Sequence, residues 1–161
     1  MVNDTQAARR LAQQAHVVNR ASGRKPWREV LQGISRRTLG RPRDWAVPQL
    51  STPWQDTSSS ERPGWRERAA NLDGEIVFAV DYQICHCCQL GWVEQPYTEP
   101  QYQRCGLASA GLGALRAEHP SLSWHTLGGH FRDSGDFWAA VGSGVLGGYQ
   151  QRELCAHVNP G

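Results

Sequence analysis

The sequence predicts a single α/β domain, residues 1–161, in which a mixed central sheet is flanked by helices. Stretches rich in β-forming residues alternate with stretches whose apolar residues recur at helical spacing. Two neighbouring strands are joined by a short turn and two by a helix, which indicates both antiparallel and parallel pairing. A chain of 161 residues can bury the core of one domain, whereas two complete domains would be cramped.

The first 43 residues are predicted to be helical and basic. Apolar residues recur at helical spacing from Asp4 to about Arg20, and a second helix is expected from Pro26, since proline suits the first helical position. Residues 1–43 contain ten Lys and Arg and two acidic residues, a net charge of +8. The remaining residues contain seven Lys and Arg and 13 acidic residues, a net charge of −6. The basic part suits nucleic acid, an acidic partner or an anionic cofactor, or is the solvated surface of two helices. Nucleic acid is not the expected partner, because no nucleic-acid-binding motif accompanies the arginines.

Residues 41–64 are predicted to form an irregular loop, because they contain four prolines and a run of three serines. One short strand is expected within this loop, at about 45–50. A short helix is expected at Trp65–Asn71, ended by a turn at Asp73-Gly74.

The remaining chain is predicted to alternate between strands and helices. Glu75–Val80 is rich in β-forming residues, and a turn at 81–83 would return the chain as an antiparallel strand over Ile84–Gln95. The following elements are a bend at 96–100, a helix at about Leu107–Glu118, a short strand at 122–126, a helix at 133–141 and a last strand at about 149–158. The helix between two strands is long enough to connect parallel neighbours.

The best candidate binding site is the turn Gln103-Arg104-Cys105-Gly106-Leu107-Ala108, between a predicted strand and a predicted helix. The N-terminus of a helix presents unpaired backbone N–H groups and partial positive charge, which suits an anion such as a pyrophosphate. The alternative is a plain strand-to-helix turn.

The run QRCGLASAGLGAL, followed by HPSLSWHT and then DSGDFWAAVG, resembles the GNAT superfamily of acyl-CoA N-acyltransferases. In that family a Q/R-x-x-G-x-G/A turn binds the CoA pyrophosphate, and Gln103, Gly106 and Ala108 occupy those motif positions. The resemblance covers residues 72–158, the expected acyl-CoA-binding core, and extends to the first 70 residues only by element order. In the family the region corresponding to 41–64 commonly helps to form the acceptor site.

The resemblance implies an N-acetyltransferase that moves an acetyl group from acetyl-CoA, its co-substrate, to a primary amine. A non-catalytic module that binds acyl-CoA or a protein is the alternative. The implied cofactor-binding residues comprise two at the end of the preceding strand and six in the turn: Val93, Gln95, Gln103, Arg104, Cys105, Gly106, Leu107 and Ala108. A backbone N–H near Val93–Gln95 would contact the acyl carbonyl.

Glu94 and His130 are the candidate catalytic residues. Many members of the family carry a carboxylate base at the position of Glu94, which could equally be an exposed glutamate at a strand end. Many also place a tyrosine acid where this chain has Trp138, and an indole cannot deliver a proton to a thiolate. Either the thiolate leaves unassisted or another group serves, and His130, His125 and Tyr97 are the candidates. His125 lies within a short strand, which favours a structural role for it.

The run Cys85-His86-Cys87-Cys88 is not expected to bind a metal. Alternate residues of a strand face opposite sides, so a strand would not gather these four side chains, although Cys105 or Cys155 could supply a third thiolate. Small buried residues or a reactive thiol are the other interpretations. Five cysteines without an export signal indicate reduced thiols in the cytoplasm, no membrane segment is apparent, and homodimerisation is left open.

Overall fold

The computed structural model describes residues 2–21, 52–59 and 61–159. The predicted second helix from Pro26 and the predicted strand at 45–50 lie outside these ranges. None of the helices in the described ranges is long and apolar enough to cross a bilayer.

A seven-stranded mixed sheet organises the described residues, with its strands in sequence order. The elements are helix α1 (Val2–Gln13), strands β1 (Asn19–Ala21), β2 (Trp54–Ser58), β3 (Arg66–Leu72), β4 (Glu75–Cys85) and β5 (Leu90–Thr98), helix α2 (Leu107–Glu118), strand β6 (Ser123–Thr126), helix α3 (Gly135–Gly142) and strand β7 (Gln150–Gln151). Strands β2 to β5 pair antiparallel, whereas β1 pairs parallel to β2, and β5, β6 and β7 pair parallel. The predicted α/β class with a mixed sheet flanked by helices is confirmed.

Helices α1 and α2 pack against each other and against the middle of the sheet. Their apolar stripes, including Leu11 and Leu112, join a core that contains Trp54 and Phe78 from the strands. The Trp54 indole nitrogen donates to the Leu11 carbonyl oxygen at 2.7 Å, so the last turn of α1 is tied directly to β2. The other face of β5 contributes Trp92 to a separate apolar cluster.

The two glycines inside α2 have different surroundings. A Cβ built on Gly111 would lie 2.6 Å from the ring of Phe78, so glycine is what lets the helix approach the sheet here. A Cβ on Gly113 would meet only the end of the Arg116 side chain, at 3.6 Å. Glycine weakens a helix, and of these two glycines only Gly111 is required by the packing of the helix on the sheet.

The predicted helix at Trp65–Asn71 is wrong, because all of these residues after Trp65 belong to β3. The segment contains good helix formers, but it pairs on both sides, with β2 and β4. The fully buried Arg68 donates to Asp56 at 3.0 Å and to Glu118 at 2.8 and 3.1 Å. A buried guanidinium needs such carboxylates, so tertiary contacts override local helix propensity.

Three further element predictions need correction. The first helix ends at Gln13, and strand β1 begins at Asn19 within its predicted range. The predicted loop at 41–64 contains strand β2, with Pro53 directly before it, where a proline removes no ladder bond. The predicted last strand contains only the two residues of β7. The predicted helix Leu107–Glu118 and the turn at Asp73-Gly74 are confirmed.

The hairpin of β4 and β5 also differs from the prediction. Strand β4 continues through the expected turn at 81–83 as far as Cys85, and β5 begins at Leu90 rather than at Ile84. Residues 86–89 form the reversing turn, in which Gln89 has a positive φ of +53°. The cysteine run is therefore bent around a hairpin end instead of lying along a strand.

Candidate functional site

A cleft opens where β5 and β6 separate. The two strands pair in parallel only from Leu90/Ser123 to Val93/Thr126, and β5 continues without β6 to Thr98. The register of β5 against β4 also shifts here, because Asp81 pairs with Glu94 whereas Ala79 pairs with Tyr97. The extra residue on β5 and the positive φ of Gln95, +49°, mark a β-bulge. Bulges bend strands, and this one lies where the edge of the cleft begins.

The cleft has a volume of about 1270 Å³, which is enough for a ligand larger than a typical small metabolite. Three parts of the chain line it: the end of β5 (93–98), the turn with the first residues of α2 (102–104 and 106–109), and the segment from β6 to α3 (126, 128–131, 133–134 and 136–138). Phe131, on the third part, is 82% exposed and offers apolar surface at the cleft.

The turn before α2 has a left-handed backbone at two positions. Arg104 has φ +64° and Gly106 has φ +84°, a conformation that favours glycine. The first intrahelical bond runs from Ala110 N to Gly106 O at 2.9 Å, so the N–H groups of Leu107, Ala108 and Ser109 precede the helical ladder. This arrangement presents backbone donors to the cleft and suits an anionic ligand.

Seven of the eight predicted cofactor-binding residues line the cleft, and Cys105 does not. Cys105 is buried in the core beneath the turn, with its Sγ 3.8 Å from the Gln103 carbonyl oxygen. Gln103 itself is exposed, and its Nε2 lies 3.5 Å from the Thr98 carbonyl oxygen. The turn is therefore anchored from below by an apolar side chain, and its exposed face belongs to the cleft.

Glu94 lines the cleft and forms an ion pair. Its Oε2 accepts from Arg62 Nη1 at 2.5 Å, and the same guanidinium nitrogen lies 3.7 Å from Asp81. The guanidinium also stacks on Trp65, 3.8 Å from the ring centroid. Among the described residues, Oε1 of Glu94 has no such partner, so it is the carboxylate oxygen more open to a ligand. Sequence reasoning missed Arg62, since no local pattern links it to a residue 32 positions away.

His130 also lines the cleft, where it stacks on Trp138 with ring centroids 5.0 Å apart. Its Nε2 lies 2.8 Å from the Tyr149 carbonyl oxygen, and a carbonyl only accepts, so Nε2 carries the proton in this contact. That tautomer leaves Nδ1 as the basic nitrogen. Glu94 and His130 therefore stand on opposite walls, one on β5 and one after β6.

The other two candidate acids differ in position. Tyr97 lines the cleft and is 41% exposed. His125 is buried away from it, with Nε2 2.9 Å from Ser123 Oγ and Nδ1 3.1 Å from the Gln150 carbonyl oxygen. Burial lowers the pKa of His125, although the hydrogen bond to Gln150 opposes this. Both ring nitrogens are engaged, which fits the predicted structural role.

The expected placement of the cysteine run along a strand is wrong, because residues 86–89 form a turn. Cys85 and Cys88 lie together because the chain reverses at 86–89, and Cys155 and His157 lie beside them. Cys87 is exposed and outside this group. The four clustered side chains do not line the cleft.

No protein-family model matches the chain, and no curated protein gives a significant match. Similar solved structures include an aminoglycoside acetyltransferase from an uncultured soil metagenomic sample in complex with trehalose, with 12% identity and a TM-score of 0.42 over 71% of this chain and 78% of that one. The same protein in complex with sisomicin gives 10% identity and a TM-score of 0.41 over the same shares. A ribosomal-protein-alanine N-acetyltransferase from Brucella melitensis biovar Abortus 2308 gives 18% identity and a TM-score of 0.39 over 76% of this chain and 78% of that one.

Proposed function

We propose that this protein is an acyl-CoA-dependent N-acetyltransferase that moves an acetyl group from acetyl-CoA to a primary amine. The observation that carries the proposal is the cleft between β5 and β6, where a strand bulge faces the backbone donors at the start of α2. An extended anionic thioester needs both features, since its phosphates need donors and its acyl group needs an opening between strands. All five cysteines are free thiols, which fits a cytoplasmic protein.

The residues of the cleft fit acetyl-CoA as a co-substrate. The N–H groups of Leu107, Ala108 and Ser109 would hold the pyrophosphate, with the exposed Arg104 side chain adding charge. A Cβ built on the left-handed Gly106 would lie 4.0 Å from its nearest neighbour, Ala12 Cβ, so the backbone here is not crowded. The backbone of Val93 to Gln95 would contact the acyl carbonyl, as the GNAT resemblance implies.

Acetyl transfer requires three events around the thioester carbon. The amine must lose a proton, the carbonyl oxygen must be stabilised, and the thiolate must leave, so an N–C bond forms as a C–S bond breaks. Glu94 Oε1 would accept the amine proton, directly or through water, while Arg62 holds the other carboxylate oxygen. To supply the proton to the thiolate, His130 would have to carry a second proton at Nδ1, since its Nε2 proton is held by the Tyr149 carbonyl.

The acceptor would enter between these groups. Arg62 pairs with Glu94 and covers the ring of Trp65, and the family resemblance implies that residues 41–64 help to form the acceptor site. The carboxylate of Glu94 suits a cationic acceptor, because it attracts positive charge before the amine loses its proton.

The alternative is a module that binds acyl-CoA or a protein without turnover. Two observations favour it: Trp138 occupies the position of the usual acid, and an ion pair already engages one oxygen of Glu94. Such a module would keep the cleft and lack the proton transfers.

Two measurements on the purified protein separate these functions. The first follows thiol release from acetyl-CoA with a panel of primary amines, and the second follows the melting temperature as CoA is added. Turnover on an acceptor supports the enzyme, whereas saturable CoA stabilisation without turnover supports the binding module.

Gly106→Glu tests the cleft itself, and Gly74→Glu is its matched control. Both glycines have nearly the same φ, +84° and +82°, so both substitutions strain the backbone alike. Gly74 lies in the hairpin turn between β3 and β4, away from the cleft. Gly106→Glu should abolish CoA stabilisation, and Gly74→Glu should retain it. Full stabilisation in Gly106→Glu would overturn the proposed cofactor site.

A further inference from the structure

Four metal-binding side chains meet at the opposite end of β5 from the cleft. Cys85 ends β4, Cys88 lies in the turn before β5, and Cys155 and His157 lie in the C-terminal segment after β7. One ligand atom from each lies within 4.8 Å of the other three. We propose that Cys85, Cys88, Cys155 and His157 bind one zinc ion as a structural site.

The donor set and its dimensions suit zinc. Structural zinc sites hold the ion with four protein ligands, and three thiolates with one imidazole is one of their common sets. Zn–S bonds of about 2.3 Å and a Zn–N bond of about 2.0 Å place tetrahedral ligand atoms roughly 3.5–3.8 Å apart. Cys88 Sγ lies 3.2 Å from His157 Nδ1, and no pair of ligand atoms exceeds 4.8 Å. Closing around the ion therefore needs side-chain movements of only about 1 Å.

Two tight turns bring the ligands together. The first reverses β4 into β5, and because Cys85 pairs with Leu90, the turn carries Cys88 back beside Cys85. The second follows Cys155, whose carbonyl oxygen accepts from Val158 N at 3.1 Å and from Asn159 N at 3.0 Å. That turn folds His157 back toward Cys88. Each turn supplies two ligands, in the patterns Cys-x-x-Cys and Cys-x-His.

The surroundings indicate a structural role. An apolar cluster of Trp65, Cys85, Leu90 and Trp92 lies beneath the site, with Leu127, Leu154, Cys155 and Val158 packed against it. Four protein ligands leave no open coordination position for a substrate, and none of the four lines the cleft. The outer face of the site belongs to His157, which is exposed.

A zinc ion at this site would stabilise the position of the C-terminal segment after β7. Strand β7 has only two residues, and beyond it the chain is held by Arg152 N donating to the Thr126 carbonyl at 2.9 Å and by Trp92 Nε1 donating to the Arg152 carbonyl at 3.1 Å. A zinc ion shared with the β4–β5 turn would fix residues 155–157 to the sheet. Binding releases the thiol protons to solvent, and no redox change is involved.

The test begins with the whole protein, purified without a metal-binding tag or chelator. We expect about one zinc ion per chain by elemental analysis, released when the thiols are modified. Replacing zinc by cobalt(II) should give the intense visible absorption of a tetrahedral site, with thiolate charge-transfer bands in the near ultraviolet. An apo protein that takes up neither ion, or one whose Cys85 and Cys88 are joined by a disulfide, would overturn the proposal.

Neighbouring residues provide matched controls. Cys88→Ser should lose zinc and the cobalt spectrum, whereas Cys87→Ser, one residue earlier in the same turn, should keep both. His157→Ala should likewise lose the ion, while His157→Cys should retain it, since four thiolates also form a zinc site. His157 is exposed, so this pair of variants should fold even if Cys88→Ser does not. Equal loss of zinc in Cys87→Ser and Cys88→Ser would contradict the assignment.

Discussion

The two ends of strand β5 are built by different means. At its C-terminal end, from Val93 to Thr98, a bulge and the helix start at Leu107 shape the cleft, mostly with backbone groups. At its N-terminal end, beside Leu90, side chains from two distant turns converge, and the partners Cys88 and His157 are 69 positions apart. A site formed by backbone groups of one turn can be recognised from a local sequence motif. A site formed by side chains from distant turns depends on how the whole chain folds.

The comparison also assigns different work to the two ends. The cleft end keeps donors and a carboxylate available to a ligand, which contributes little to stability. At the N-terminal end, Cys85, Cys88, Cys155 and His157 contact one another or would bind an ion. These contacts stabilise the fold, and none of the four side chains is left to bind a substrate. We therefore expect substitutions in the cleft to change activity and substitutions at the cysteine cluster to change stability.

The largest effect is expected from Glu94→Gln. If Glu94 accepts the amine proton, turnover should fall by about 10²–10⁴-fold, because general-base catalysis has that magnitude. The melting temperature should change little, since a partly exposed ion pair such as that with Arg62 contributes about 1 kcal/mol or less. Steady-state kinetics and thermal denaturation measure the two effects.

Glu75→Gln, an exposed carboxylate at the start of β4, is the control and should leave turnover unchanged. Undiminished turnover in Glu94→Gln would remove the base from the proposed mechanism. A large drop in its melting temperature would instead mean that the cleft end also carries stability.

The next effect is the loss of the proposed zinc ion. Removing it from the wild-type protein with a chelator should lower the stability by on the order of 3 kcal/mol, or about 10 °C in melting temperature, because metal-binding free energy contributes to folding. The additional stabilisation by CoA should persist in the metal-free protein, since the ligands lie outside the cleft. Disappearance of the CoA effect together with the metal would show that the two ends form one unit.

A smaller effect is expected where α2 rests on the sheet. Gly111→Ala places a methyl group 2.6 Å from the buried ring of Phe78, and overpacking of this kind should cost about 1–2 kcal/mol after the gain in helix propensity. Because the same helix presents the backbone donors of the cleft, CoA stabilisation should weaken as well. Thermal denaturation with and without CoA measures both changes.

Gly113→Ala is the matched control within the same helix. Its new methyl group meets only the flexible end of Arg116, so the substitution should stabilise the protein by roughly 1 kcal/mol and leave CoA binding unchanged. Equal effects at Gly111 and Gly113 would mean that the helix does not depend on this contact with the sheet.

The turn and the helix start at one wall of the cleft could be predicted from the sequence, because their determinants are consecutive residues. The turn from Gln103 to Ala108 and the helix that follows it carry a motif that is local in the chain. Strand β3 could not be predicted in this way, because Arg68 is stabilised by Asp56 and Glu118, 12 and 50 positions away. The pairing of Glu94 with Arg62 depends on the same kind of distant contact.

The cysteine cluster was missed for a related reason. Placing Cys85 to Cys88 along a strand puts alternate side chains on opposite faces, and that geometry excludes a shared site. The turn at 86–89 reverses this conclusion, because it carries Cys88 back beside Cys85. The available signal was the second ligand pair, Cys155 and His157, whose spacing repeats the pattern of two donors on one tight turn.

The smallest effect concerns Arg62, which contacts Glu94 on β5 and Trp65 of the apolar cluster beside the cysteines. Its guanidinium binds Glu94 in the cleft and stacks on Trp65, which packs with Cys85 in the other cluster. Arg62→Met keeps the alkyl stem and removes the charge, so stability should change by less than about 1 kcal/mol. Turnover should fall by about tenfold at most, because Glu94 keeps its carboxylate but loses the contact that fixes its orientation. Arg10→Met, on the exposed surface of α1, should change neither quantity. Zinc content should equal that of the wild type; its loss in Arg62→Met would mean that the ion pair supports the cysteine end, and the two ends of β5 could then no longer be treated as separate sites.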